Sequence, residues 1–215
     1  DPYRIANWMH LNNTRKNLDA NFTLVADLND STTGYDEVAD ATANGGKGFI
    51  PIGNNSFLFN SSFNGNGHTI DKLSVDRDEQ NYIGLFGGVG IDGAITNLSL
   101  STAEISGNGS TATLAGMNRG EIINVTATGT ITSNGSNTGG LVGYSNGGNV
   151  AESSATVQVI TDGNKSGGLI GTAGGDASIS DSWADGNVNG TKNVGGLIGK
   201  VESQQGAEIV GSSHA

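Results

Sequence analysis

The chain has 215 residues, no cysteine and a formal charge of −11, from 21 acidic against 10 basic side chains. That balance disfavours nucleic acid and anionic membranes as partners, because both repel an acidic surface, and the lack of cysteine excludes a disulfide framework. Only 34% of the residues are hydrophobic and 36 are glycine, which is lean for a compact sphere, and no stretch approaches the roughly 18 apolar residues of a membrane-spanning helix.

Residues 1–48 read as an N-terminal cap. In YRIANWMHLNNTRKNL, Ile5, Trp8 and Met9 fall at helical spacing, and Asp1-Pro2 offers a helix start. NFTLVADL then alternates Phe22, Leu24, Ala26 and Leu28, as a first strand would. Residues 29–48 are polar and glycine-rich, which predicts a long loop. The chain opens on Asp1 rather than Met and stops at GSSHA just past the last repeat marker, which points to a processed product or a piece of a longer protein.

From residue 49 to 215 the chain repeats itself. NYIGLFG ends at Gly87, TATLAG at Gly116, NTGGLVG at Gly143, KSGGLIG at Gly171 and NVGGLIG at Gly199, at intervals of 29, 27, 28 and 28 residues. Ile95, Ile122, Val150, Ile179 and Ile209 run in step with them, as do the dipeptides Asn108-Gly109, Asn134-Gly135, Asp162-Gly163 and Asn189-Gly190. Three landmarks sharing one period mark a repeat array, and disorder would give no reason to keep apolar residues in register. Within a unit, runs such as EIINVTATGTITSNG alternate β-branched residues and end on Asn-Gly, the pattern of short strands and turns. No helical stripe appears after residue 20. Propeller blades need about 40 residues, so units of 27–29 suit one coil of a parallel β-helix, an all-β solenoid whose coils stack about 4.8 Å apart. In GGLVG the apolar pair then supplies core rungs. The glycines are expected to adopt positive φ and to avoid collision with the next coil. Ala115 and Thr113 in TATLAG predict a narrower coil there.

The repeated Gly140-Leu141-Val142-Gly143, Gly168-Leu169-Ile170-Gly171 and Gly196-Leu197-Ile198-Gly199 resemble the GLUG repeat of bacterial and archaeal surface proteins. FIPIGN (49–54), FNSSFNGNGHTIDKLSV (59–75), NYIGLFG (81–87) and GAITNLSL (93–100) resemble the segment that leads into those repeats, with Asn64 where that segment usually has Asp. The resemblance implies a right-handed β-helix in a secreted or surface-anchored, adhesin-like protein. The repeat brings no catalytic motif with it.

Chemistry is sparse. His10, His68 and His214 are far apart, and HExxH, G-x-S-x-G and P-loop patterns are missing. Aligning the units puts Asn97, Asn124, Glu152 and Asp181 in one column. Glu152 and Asp181 would then stand about 5 Å apart on adjacent coils, where two carboxylates can share a proton or a cation, weak Ca²⁺ binding being the metal case. No cofactor is expected otherwise. Thr126, Thr128, Thr130 and Thr132 suggest an ice-binding lattice, but the neighbouring units place Ser154, Thr156, Trp183 and Asp185 beside them, which breaks the array. Eleven N-x-[S/T] sequons begin at Asn12, Asn21, Asn29, Asn54, Asn60, Asn97, Asn108, Asn124, Asn134, Asn164 and Asn189, and carry glycans where the source glycosylates. The leading expectation is a non-enzymatic, extracellular β-helical module of an adhesin-like protein. It would be a rigid stalk that offers loops to a glycan, a protein or copies of itself, with no nucleic acid partner and no membrane insertion. The alternatives are a polysaccharide-active lyase or hydrolase and a glycosylated surface-layer or filament subunit.

Overall fold

The computed structural model describes residues 1–202 and 208–210; His214 and the closing GSSHA lie outside the described residues. The backbone forms a stack of parallel strands. One column of paired residues runs through Tyr3, Phe22, Phe63, Ile95, Ile122, Val150, Ile179 and Ile209. From Ile95 on, successive members are 27, 28, 29 and 30 residues apart, so the marker residues expected to stack do stack. A second column passes through Phe86, Ala115, Val142, Ile170 and Ile198. A third, narrower one passes through Ile83, Thr111, Thr138, Ser166 and Val194. Three walls close a prism, and its interior is a continuous apolar core. The architecture is a parallel β-helix.

Side-chain alternation fills that core. Leu85, Leu114, Leu141 and Leu169 point inward with no exposed surface, and burying each contributes about 2 kcal/mol. The register passes through Ala115 unbroken. Irregularity falls instead between Leu100 and Ala103, where the strand Ala94–Gly107 shifts against Glu121–Ser133. Thr113 is fully buried, and its hydroxyl donates to the Gly140 carbonyl one coil on, at 2.5 Å.

The repeat glycines act by sterics rather than by backbone freedom. None of Gly140, Gly143, Gly168, Gly171 and Gly199 has positive φ, contrary to one half of the expectation. A Cβ on Gly143 would sit 2.6 Å from the Ser110 carbonyl carbon and 2.8 Å from the Thr111 nitrogen, and one on Gly171 would sit 2.5 Å from the Asn137 carbonyl carbon. The wall of the preceding coil occupies the space of a side chain.

The N-terminal segment differs from the expectation in a second way. Tyr3–Ile5 is a strand paired with Phe22–Leu24, and the helix is Trp8–Asn13, followed by a 3₁₀ turn at Thr14–Lys16. The helix starts on Asn7, whose Oδ1 accepts from the His10 amide at 2.8 Å, an N-cap bond. Extending the helix back to Pro2 would forfeit the parallel pairing of Tyr3–Ile5, and that pairing wins. Trp8 and Leu11 are buried while Met9 is exposed. The polar stretch 29–48 contains one short helical turn, Tyr35–Val38, and a left-handed turn at Ala43–Gly46, where Asn44, Gly45 and Gly46 have positive φ. Asn189-Gly190 also departs from its place: Asn189 lies in a strand opposite Ile160, whereas Asn108, Asn134 and Asp162 share one corner.

Candidate functional site

The surface of this solenoid is organised by columns of left-handed residues at its corners. Asn97, Asn124, Glu152 and Asp181 have φ of 53°, 54°, 51° and 47°. They follow the paired residues Thr96, Ile123, Ala151 and Ser180, so the four stack on successive coils. A second column, Tyr82, Ser110, Asn137, Lys165 and Asn193, has φ between 50° and 65°. Each precedes a member of the third wall. A short Asn or Asp side chain tolerates the left-handed region because it bonds locally; longer side chains are strained there.

The first column therefore explains its own composition. Asn124 Nδ2 donates to Asn97 Oδ1 at 2.8 Å, and Asn97 Nδ2 donates to Asn64 Oδ1 at 3.3 Å. Stacked amides form a ladder along the corner, and Glu152 and Asp181 continue the column as acids. The structure brings these two together on adjacent coils, where Glu152 N donates to the Ser180 carbonyl at 3.1 Å, and both are exposed. Among the described residues no group of three His, Cys, Asp or Glu could hold a metal ion.

The eleven sequon asparagines scatter over the surface, and the structure sorts them by the freedom of the amide nitrogen. Asn60, Asn97 and Asn124 use Nδ2 as a donor within the fold. Among the described residues, the side chains of Asn12, Asn21, Asn29, Asn54 and Asn164 bond through Oδ1 as an acceptor. Asn134 and Asn189 are exposed, and Asn108 is half-buried at its corner. The threonine array fares as its sequence implied: Thr128 faces Thr156, but Thr130 lies between Glu104 and Gln158, and Ser154 is followed by Trp183.

The loop 29–48 overhangs the long sheet. Beneath Ala41 lies a groove of about 380 Å³ whose lining includes Asp76, Glu104, Ser106 and Thr130. An adjoining groove of about 310 Å³ is edged by Tyr35, Asp40, Lys72 and Thr102. Ring packing fixes the overhang, with Trp8 against Tyr35 at 5.6 Å and against Phe49 at 6.4 Å. Lys72 pairs with Asp30. Asp27 is held below the usual carboxylate range by the Thr69 amide and then by the His68 ring. Burial pushes Asp71 up, but the Ser101 and Thr102 hydroxyls outweigh it and leave it lowered. Sequence reasoning did not single out Arg15 and Arg77, two half-buried cations, the first donating to Asn12 and the second to the Phe49 carbonyl at 3.2 Å. Sixty-two positions separate them, and no spacing rule joins them.

Fold and corners together define the class: a parallel β-helix whose turns present stacked polar columns. No family model matches the chain. Its sequence is similar to halomucin of Haloquadratum walsbyi, 45% identical over 123 residues, which is 57% of this chain and 1% of that protein. It is also similar to a protein of Evansella cellulosilytica described as a candidate Gly-rich membrane protein, 40% identical over 130 residues, 58% of this chain and 14% of that one. The chain thus spans a small fraction of either relative. In three dimensions it resembles a candidate immunoglobulin A1 protease from Bacteroides ovatus, with a TM-score of 0.64 at 20% identity, over 100% of this chain and 74% of that one. That likeness concerns the fold alone. No helix among the described residues is long and apolar enough to cross a membrane.

Proposed function

We propose that the chain is a non-catalytic β-helical module of the GLUG-repeat kind, carried by an extracellular, adhesin-like protein. It acts as a rigid scaffold whose turn columns and loops meet a glycan or protein of another surface. The observation that carries this reading is the unbroken parallel register from Tyr3 to Ile209, joined to 45% identity with a halomucin. Such a stack buries its apolar side chains inward and repeats its corner residues outward, so it offers a long, stiff and regular surface. Antibodies raised against the chain are expected to label intact producing cells. Label that appears only after permeabilisation would sink the reading.

The adjacency of Glu152 and Asp181 favours a second reading, a polysaccharide-active enzyme or a weak Ca²⁺ site at that corner. Turnover of acidic polysaccharides that disappears in Glu152→Gln and Asp181→Asn would support the enzyme, and Ca²⁺-dependent melting abolished by the same changes would support the cation site. The scaffold reading expects neither.

A further inference from the structure

Asparagine followed by glycine is a reactive pair, because glycine puts no Cβ beside its amide nitrogen and leaves that nitrogen able to reach the asparagine side chain. The chain holds seven such pairs, beginning at Asn44, Asn64, Asn66, Asn108, Asn134, Asn146 and Asn189. The fold treats them unequally.

Four are locked. The Gly65 amide donates to the Thr96 carbonyl at 2.7 Å, the Gly67 amide to the Asn97 carbonyl at 2.9 Å and the Gly147 amide to the Gly174 carbonyl at 2.8 Å. At Asn44 the side chain itself is committed, with Nδ2 donating to the Gly48 carbonyl at 2.9 Å and to the Val38 carbonyl at 3.3 Å. Ring closure at any of these pairs must first break a hydrogen bond. Asn108 and Asn134 share a corner held by coils on both sides. Asn108 N donates to the Gln80 carbonyl at 2.8 Å, Asn134 N to the Gly107 carbonyl at 3.2 Å, and a Cβ on Gly135 would sit 2.4 Å from the Asn108 carbonyl oxygen.

Asn189 is placed differently. It is exposed. Its strand Val188–Asn189 pairs with Val159 and Ile160 on one side and, among the described residues, with nothing on the other. Among the described residues neither the Gly190 amide nor the Asn189 side chain has a hydrogen-bond partner. The next anchor is Thr191, whose Oγ1 donates to the Gly163 carbonyl at 2.8 Å. Nucleophile and electrophile thus lie together, uncommitted, at the end of a strand with one free edge.

We propose that Asn189-Gly190 is a self-modification site, at which the chain converts its own asparagine to aspartate and isoaspartate. The Gly190 nitrogen gives up its proton and attacks Asn189 Cγ, closing a succinimide ring, and Nδ2 leaves as ammonia. Water then opens the ring at either carbonyl. Water is consumed, ammonia is released and nothing is oxidised or reduced. The product adds a carboxylate to an acidic surface, and its isoaspartyl form inserts an extra backbone carbon opposite Ile160. It also erases the sequon at Asn189. A glycan on Nδ2 would block ring closure, so the two modifications exclude one another. The reaction needs only water and does not depend on the scaffold role.

The test is to hold the purified chain in warm, mildly alkaline buffer made with heavy-oxygen water and to map its peptides by mass spectrometry over time. Each asparagine that passes through the ring takes up labelled oxygen. Asn189 is expected to convert at least about tenfold faster than Asn44, Asn64, Asn66 and Asn146, the scale on which misplacing reacting atoms slows a reaction. Asn108 and Asn134 should fall between. In guanidinium chloride the seven rates should converge, because the pairs then differ only in their neighbours. Equal rates in the folded chain, or any of the four locked pairs ahead of Asn189, would overturn the proposal. So would a ranking that persists unchanged in denaturant, since local sequence and not the fold would then set it.

Discussion

A left-handed corner asks for a residue the sequence does not always supply. Glu152 occupies that corner with φ of 51°, where a γ-extended side chain is strained by about 1–2 kcal/mol. Asn97 and Asn124 show the better solution, an amide that tolerates the conformation and bonds to its neighbour. Glu152→Asn is therefore expected to raise stability by about 1 kcal/mol, read as a higher urea midpoint at unchanged slope. A lower midpoint would mean that the Glu152 side chain contributes something the amide cannot replace. Glycine makes the opposite argument. Gly143→Ala places a Cβ 2.6 Å from backbone on the preceding coil, which neither wall can yield, and about 3 kcal/mol should be lost. Gly45 has φ of +73° and nothing within 4 Å of its added Cβ, so Gly45→Ala should lose only about 1 kcal/mol of backbone strain. Equal losses in a denaturation series would show that backbone freedom, and not coil-to-coil contact, governs both.

At the level of elements, the segments that open the solenoid are tied down by carboxylates. The Thr69 amide and then the His68 ring lower the pKa of Asp27. Asp71 is lowered because the Ser101 and Thr102 hydroxyls outweigh its burial. The Thr42 hydroxyl and then the Thr42 amide lower Asp40 in the overhanging loop. Each group binds its proton less readily folded than unfolded, so its stabilisation is present above the ordinary carboxylate pKa of about 3.9 and fades as pH falls below it. Hydrogen exchange at pH 3, corrected for intrinsic rates and set against pH 6, should show a larger loss of protection in 27–42 and 69–77 than in 142–174. A uniform loss would contradict this. The same elements show what a reader of the sequence could see. Ile95, Ile122, Val150 and Ile179 were legible as a ladder because a stacked core forces one apolar residue to recur in each coil. The column of Asn97, Asn124, Glu152 and Asp181 was legible as an alignment, but not as a left-handed corner, because Asn and Asp are common throughout the chain. The helix start at Asn7 was hidden because Ile5 at helical spacing is equally a strand residue once Phe22 is beside it.

Across the whole molecule the core tapers in chemistry. All six phenylalanines lie between residues 22 and 86. Phe49, Phe59, Phe63 and Phe86 are fully buried, with Phe59–Phe86 and Phe63–Phe86 centroids 5.2 and 5.4 Å apart. Further along no aromatic rung recurs: Ala155, Ala173, Ala177 and Ala184 stand among aliphatic rungs such as Val157, Leu169, Ile170 and Ile179, and the column that begins with Leu98 and Val125 passes to the buried serines Ser153 and Ser182. Those serines are satisfied: Ser153 Oγ donates to the Ala151 carbonyl at 2.7 Å and accepts from the Val125 amide at 3.1 Å, while Ser182 Oγ accepts from the Ser153 amide at 3.1 Å. They hold the coil in register but remove little apolar surface from water. A buried phenylalanine contributes about 2–3 kcal/mol that an alanine or serine rung does not. In a solenoid each coil leans mainly on its neighbours, so stability is close to a sum of local terms and unfolding begins where those terms are smallest. At neutral pH, hydrogen exchange in rising urea should therefore open 164–201 at lower concentration than 49–89, with the boundary past the last phenylalanine rung. Replacing Ala155 by Val should move that boundary toward the C-terminal side if the rung has room, and should lower the midpoint of its own coil if it does not. Simultaneous opening of both segments at one urea concentration would show that the stack behaves as a single cooperative unit, and the local account of its stability would fail.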